Sequence, residues 1–306
     1  MKGFLKKIHM PMAGLMLAFA TLGNLFQSYG DVYRNIMGSI SAILLIVLTF
    51  KFAFDFKGLK NEMDNPIGAS VFPTYSMGIM LLATYVKPYN GSLAYGVWIV
   101  GILIHISLII RFSMKFIRKF NIKQVLPSWF IVYVGIAVAA VTGKVFNQTV
   151  GQLAFCFALI AYLILIFVVG KRVFVVKEIP EPALPTLIIF AAPGSLCLAG
   201  YLNAFDQKNL FIFWLLLVLS QLFYIFALIK LMTLIKLKFY PSYSAFTFPM
   251  AISALALKLS NGFLINQGVK IPLLAILIKV EELIAVIIVF YVLIRYLENL
   301  VKNKAN

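Results

Sequence analysis

The chain has 306 residues, 62% of them apolar and only 12% charged, with a mean hydropathy of +0.99 and a formal net charge of +17. So little polar surface cannot cover a water-soluble domain, so the composition points to an integral membrane protein. The period-two alternation of a transmembrane barrel is lacking, which leaves an all-α protein.

Along the chain, apolar stretches interrupted by Pro or Gly lie near 10–27, 68–86, 126–143, 184–204 and 243–260. They alternate with unbroken ones at 35–54, 93–110, 150–170, 210–229 and 271–294. The unbroken runs suit helices crossing ~30 Å of hydrocarbon, and ten spans are expected in all. Lys2, Lys6 and Lys7 resemble a basic leader, but the stretch runs on into the repeat, so the first span is expected to be retained.

The interruptions recur. Pro73, Pro127, Pro185 and Pro241 stand 54, 58 and 56 residues apart, in Phe-Pro-Thr, Leu-Pro-Ser, Leu-Pro-Thr and Tyr-Pro-Ser. Eight residues beyond each lie Leu81, Gly135, Pro193 and Pro249, and the first copy keeps only Pro11. The chain reads as one transmembrane domain, 1–306, of five helical-hairpin repeats at about 8–56, 67–119, 124–174, 183–238 and 241–299. Pro11, Gly135, Pro193 and Pro249 are the expected kinks of the interrupted helices.

Charge placement agrees with ten spans. With the N-terminus inside, 20 of the 27 Lys and Arg residues fall on its side, in clusters such as Arg111–Lys123 and Lys171–Lys177. Basic residues in short loops stay cytoplasmic, so both termini are expected there, in a plasma-membrane protein. The net charge is then topological and implies no nucleic acid, although the basic loops can also meet lipid headgroups.

A repeat with an even number of spans leaves every copy facing the same way, so the copies can be related only by an axis along the membrane normal. Five such copies form a pseudo-fivefold ring around a central pore. Backbone groups freed by Pro cannot face lipid, which puts the interrupted helices inside and the unbroken ones outside. Between the charges that flank the interrupted stretches, residues 11–30, 65–86, 124–143, 182–205 and 239–257 contain no Asp, Glu, Lys, Arg or His. An uncharged lumen disfavours a proton relay or an acidic cation filter. Arg34, Lys87, Lys144, Lys208 and Lys258 follow the interrupted spans and would make a basic outer mouth that concentrates anions.

Other polar residues carry less. Glu281 and Glu282 lie within the tenth span near Lys279 and are read as structural, paired with a lysine such as Lys258 or Lys144. His9 and His105 lack companions at ligand spacing, and Cys156 and Cys197 sit in separate apolar spans, so neither metal, cofactor nor disulfide is expected. Tyr75, Tyr133, Tyr201 and Tyr243 could bond a passing ion or simply pack. No phosphate loop, metalloprotease motif or nucleophilic triad is present, so no enzyme is expected.

Phe246-Thr-Phe-Pro249 followed by Met-Ala-Ile-Ser-Ala resembles the ninth helix of the tellurite-resistance/dicarboxylate transporter family, which includes TehA and the plant slow anion channels. Pro11-Met-Ala-Gly-Leu and Leu126-Pro-Ser-Trp-Phe resemble its first and fifth helices, and the likeness runs from about residue 8 to 297. The resemblance implies a homotrimer, each protomer with its own pore for chloride- or nitrate-like anions. It also implies a phenylalanine gate at Phe248, with Phe246 the runner-up. The stretch Lys7–Pro11 departs from the family's Phe-Gly-Ile segment, leaving any first-helix part in the plug open. Within the same family, a carrier of dicarboxylates such as malate, or a tellurite-efflux protein, are the alternatives.

Overall fold

The computed structural model describes residue 5 and residues 7–302, so Lys2, Lys6 and Lys304 of the charge bias lie outside the described residues. Among the described residues, ten helical segments of 15 residues or more follow one another. Eight are long and apolar enough to cross a membrane: Asp31–Phe54, Pro66–Val86, Gly91–Ile117, Trp129–Phe146, Gln148–Val176, Glu181–Ala204, Leu210–Leu234 and Pro241–Asn266. The first, Met12–Phe26, has only 15 residues. The tenth, Pro272–Lys302, has 31 and carries Lys279, Glu281 and Glu282 in its first half.

Burial separates the two kinds of segment. The apolar windows of Pro66–Val86, Trp129–Phe146, Glu181–Ala204 and Pro241–Asn266 are 67–94% buried, against 28–33% for the four unbroken segments that alternate with them. Their contacts close on themselves. The first segment packs on the third, the third on the fifth, the fifth on the seventh, the seventh on the ninth and the ninth back on the first. The unbroken segments lie outside this circuit and turn Ile43, Leu103, Phe167 and Met232 outward.

The interruptions take a form that a simple kink does not describe. The seventh segment runs as a 3₁₀ helix from Glu181 to Phe190 and becomes α-helical at Ala191. The ninth does the same, 3₁₀ over Pro241–Phe246 and α from Thr247. Pro193 and Pro249 therefore sit in the first turn of their α-helices, where a missing N–H goes unused. Pro11 is the residue preceding the first helix, and Gly135 opens a 3₁₀ turn, Gly135–Ala137, inside the fifth segment.

On the face where the first segment begins, a short helix, Phe56–Asp64, links the first two hairpins. It is held by Lys51, 2% exposed, which pairs with Asp55 at 3.4 Å and Glu62 at 3.7 Å. Burial first, and Lys51 second, hold the His9 imidazole below its ordinary value of 6.5. A depressed histidine contributes stability that is present above its unfolded value and lost as pH falls through the folded one. The melting temperature of the solubilised protein is thus expected to fall on acidification below about pH 6.5, and His9→Gln should flatten that limb. Equal acid sensitivity in the variant would place the effect elsewhere.

Candidate functional site: a central cavity and its outer vestibule

All five interrupted segments contribute to one narrow cavity of about 30 Å³. Its wall includes Gly14, Met77, Gly135, Pro193 and Phe248, and it holds no ionisable side chain. That volume is room for about one water. Two glycines allow the close approach. A Cβ on Gly14 would come within 3.2 Å of Ser244 Cβ, and one on Gly135 within 2.7 Å of Met77 Sδ and 2.8 Å of His105 Cε1.

Phe248 and Phe246 part company here. Phe248 lies in the cavity wall and is 6% exposed, whereas Phe246 is fully buried, off the cavity, with its ring 4.8 Å from that of Tyr243. The switch from 3₁₀ to α at Thr247 sets this difference, and Thr247 Oγ1 donates to the Ser244 carbonyl at 2.6 Å and faces that of Gly14 at 3.3 Å. The ninth segment is thereby tied to the first beside the ring.

The cavity's donors escaped the sequence reading. Thr74, Thr186 and Ser242 line it, and each is the residue after the proline of a repeat. Their hydroxyls donate to the carbonyls of Val71 (2.8 Å), Ala183 (2.6 Å) and Pro182 (2.5 Å). The fourth equivalent, Ser128, turns instead to Ser70 at 2.6 Å. The recurring Pro-Ser/Thr pair was the available signal.

The profile of a family described as voltage-dependent anion channel matches residues 8–297. The chain belongs to that family. No curated protein matches the chain. Family membership and eight membrane-capable helices together make this an integral membrane protein of an anion-transporting class.

On the face opposite the start of the first segment, the same five segments, with Arg34 of the second, open into another cavity of about 350 Å³. Arg34 and Lys87 line it, with Asn24, Gln27 and Asn203, and no acid does. Arg34 is fixed in place: its Nε donates to Asn24 Oδ1 at 3.4 Å, one Nη to the Thr84 carbonyl at 3.0 Å, and the guanidinium stacks 4.3 Å over Tyr85. The other three expected mouth residues do not line it. Lys258 bonds Glu282 Oε1 at 2.7 Å and the Leu25 carbonyl at 2.9 Å, Lys208 bonds the Phe205 carbonyl at 2.5 Å, and Lys144 is exposed outside the vestibule.

The remaining candidates serve packing. Tyr75, Tyr133, Tyr201 and Tyr243 stay off the cavity, their hydroxyls bonded to Thr49 (2.7 Å), Ser113 (2.8 Å), the backbone of Asn209 and the Leu237 carbonyl (2.5 Å). His105, fully buried, faces Ser76 Oγ through Nδ1 at 2.9 Å and the Val132 carbonyl through Nε2 at 3.2 Å. A carbonyl only accepts, so Nε2 carries the proton and the ring joins the third, fourth and fifth segments. Cys156 is exposed, Cys197 is buried, and both are free. Among the described residues no cluster of three metal-ligating side chains occurs.

The two adjacent acids differ sharply. Glu282 accepts from Lys258 on one oxygen and from Tyr29 at 2.6 Å on the other. Glu281 faces Ser253 and Gln221 and takes part in none of the ion pairs of the described residues. Its Oε2, with Ser253 Oγ, Gln221 Nε2 and the Tyr224 hydroxyl, lacks a hydrogen-bond partner.

Proposed function

We propose that the chain is a passive conduit for small anions, with ten spans as a pseudo-fivefold ring of five hairpins and Phe248 as the gate. The observation that carries this reading is the uncharged cavity built from all five interrupted segments with Phe248 in its wall. A space holding about one water beside an aromatic ring is a dewetted neck, which stops ions without any charge. The sign of the permeant ion follows from the vestibule, where two cations and no acid raise the local anion concentration. Thr74, Thr186 and Ser242 would supply hydrogen bonds to an anion in the neck by turning from their carbonyls, an exchange costing about 1 kcal/mol each.

In this reading the chain forms a homotrimer in the plasma membrane with both termini cytoplasmic, and the outward Ile, Leu and Phe side chains of the unbroken segments meet lipid and neighbouring protomers. A coupled dicarboxylate carrier is the second reading. It is favoured by Glu281, a buried acid with a free oxygen beside the gate-bearing ninth segment. Reversal potentials of the Phe248→Ala variant under a chloride gradient test the choice. They are expected to follow the chloride equilibrium potential. A cation-following potential, or succinate uptake driven by a pH gradient without current, would overturn the conduit.

A further inference from the structure

Tyr85 and two glycines fix where the Arg34 side chain lies. Tyr85 stands in the last turn of Pro73–Val86, and its hydroxyl donates to the Ala20 carbonyl of the first segment at 2.6 Å. Its ring lies against Gly23 of the first segment and Gly38 of the second. A Cβ on Gly23 would collide with the Tyr85 hydroxyl, and one on Gly38 with the Tyr85 ring. Neither glycine has a positive φ, so both positions call for room and not for a special backbone.

Seated there, the Tyr85 ring carries the Arg34 guanidinium at 4.3 Å from its centroid, while the Thr84 carbonyl takes one Nη at 3.0 Å. Two adjacent residues of the third segment thus hold a cation of the second. Arg34 has another partner within reach. Asp31 lies one helical turn before it, in the first turn of Asp31–Phe54, at the i, i+3 spacing that lets opposite charges meet on a helix surface. Asp31 is exposed and takes part in none of the ion pairs of the described residues. An Arg34 free to swing would pair with it, and the vestibule would lose one of its two cations.

We propose that Tyr85 is a positioning residue for anion selection: its ring, set in the slot between Gly23 and Gly38, keeps the Arg34 guanidinium in the vestibule and off Asp31. The effect on permeation rests on the conduit reading, but the holding of Arg34 does not. A fixed cation on an acid-free wall favours anions there, whereas an Arg34 paired with Asp31 is neutral at a distance.

The test is the chloride-to-sodium permeability ratio of Phe248→Ala protein in planar bilayers, taken from reversal potentials under a sodium chloride gradient. Adding Tyr85→Leu should lower the ratio at least about threefold, as should Arg34→Gln, and the two together should do no more than Arg34→Gln alone. Tyr85→Phe keeps the ring under the guanidinium and gives up only the Ala20 hydrogen bond, so it should recover the ratio that Tyr85→Leu loses. Asp31→Asn should restore the ratio in Tyr85→Leu and change the Phe248→Ala background little. Four results overturn the proposal while leaving the conduit standing: a ratio untouched by Tyr85→Leu, an equal fall in Tyr85→Phe, a further fall when Tyr85→Leu joins Arg34→Gln, or no recovery with Asp31→Asn. Phenylglyoxal labelling of Arg34 in detergent, followed by mass spectrometry, reads the seat without any current. Labelling should be at least about threefold faster in Tyr85→Leu and in Gly38→Ala, which displaces the ring without removing it. If Tyr85→Leu does not fold, Gly38→Ala takes its place in both measurements. If Phe248→Ala passes no chloride, the conduit reading fails and labelling decides: faster labelling upholds the seating of Arg34, and an unchanged rate rejects it.

Discussion

Phe248→Ala in reconstituted bilayers is expected to raise chloride current at least about tenfold over the parent, which corresponds to lowering the barrier by about 1.4 kcal/mol or more. The neck beside Phe248 has about 30 Å³, close to one water's share of liquid volume. Removing the ring adds room for further waters, and a wetted neck no longer demands full dehydration of the ion. Phe246→Ala supplies the contrast. Phe246 is sealed against Tyr243 off the cavity, so its loss should cost about 3–5 kcal/mol of stability and open nothing. Single-channel recordings paired with thermal unfolding in detergent read both effects. Current from Phe246→Ala but not Phe248→Ala would reverse the assignment of the gate.

That contrast marks where sequence reading stops. Interrupted and unbroken stretches were legible because a proline or glycine within an apolar run demands protein cover for its backbone, and the buried shares of the two kinds of segment divide accordingly. Which of two phenylalanines two residues apart faces the cavity was not legible, because residues turn about 120° each in 3₁₀ geometry and 100° in α. The change falls at Thr247, between them, and nothing in Phe-Thr-Phe-Pro announces it. The family resemblance, not the residue pattern, singled out Phe248.

The basic mouth was legible only in part, with Arg34 and Lys87 on the vestibule and the other three lysines off it. Five cations after five interrupted spans look equivalent in a list, but Lys258 stands one helix away from Glu282, and Lys208 beside the carbonyls that end the seventh segment. Lys258 is drawn off by a contact 24 residues away and Lys208 by carbonyls two and three residues before it, and a single sequence shows neither. Three of the cavity hydroxyls, each following a repeat proline, were in plain view, but their repeat spacing reads equally well as helix-start chemistry.

The neighbouring acids of the tenth segment should respond in opposite directions to the same change. Glu282→Gln strands Lys258, which keeps only the Leu25 carbonyl and its place 4.3 Å over the Tyr29 ring. Removing one member of a fully buried pair costs about 3–5 kcal/mol. The Lys258 side chain is 24% exposed, so about 2 kcal/mol is expected after solvent screening, enough to lower the melting temperature by several degrees. Glu281→Gln strands no cation. It takes a formal charge out of a buried site and leaves an amide that can donate to and accept from Ser253, Gln221 and Tyr224, so it should be neutral or stabilising by up to about 1 kcal/mol. A double-mutant cycle of Lys258→Gln with each acid variant separates the two, with coupling expected for Glu282 alone. A marked loss of stability in Glu281→Gln would mean that the charge itself is held there. A protein that then also lost pH-dependent succinate uptake would be a carrier, with Glu281 beside the ninth segment as its coupling group.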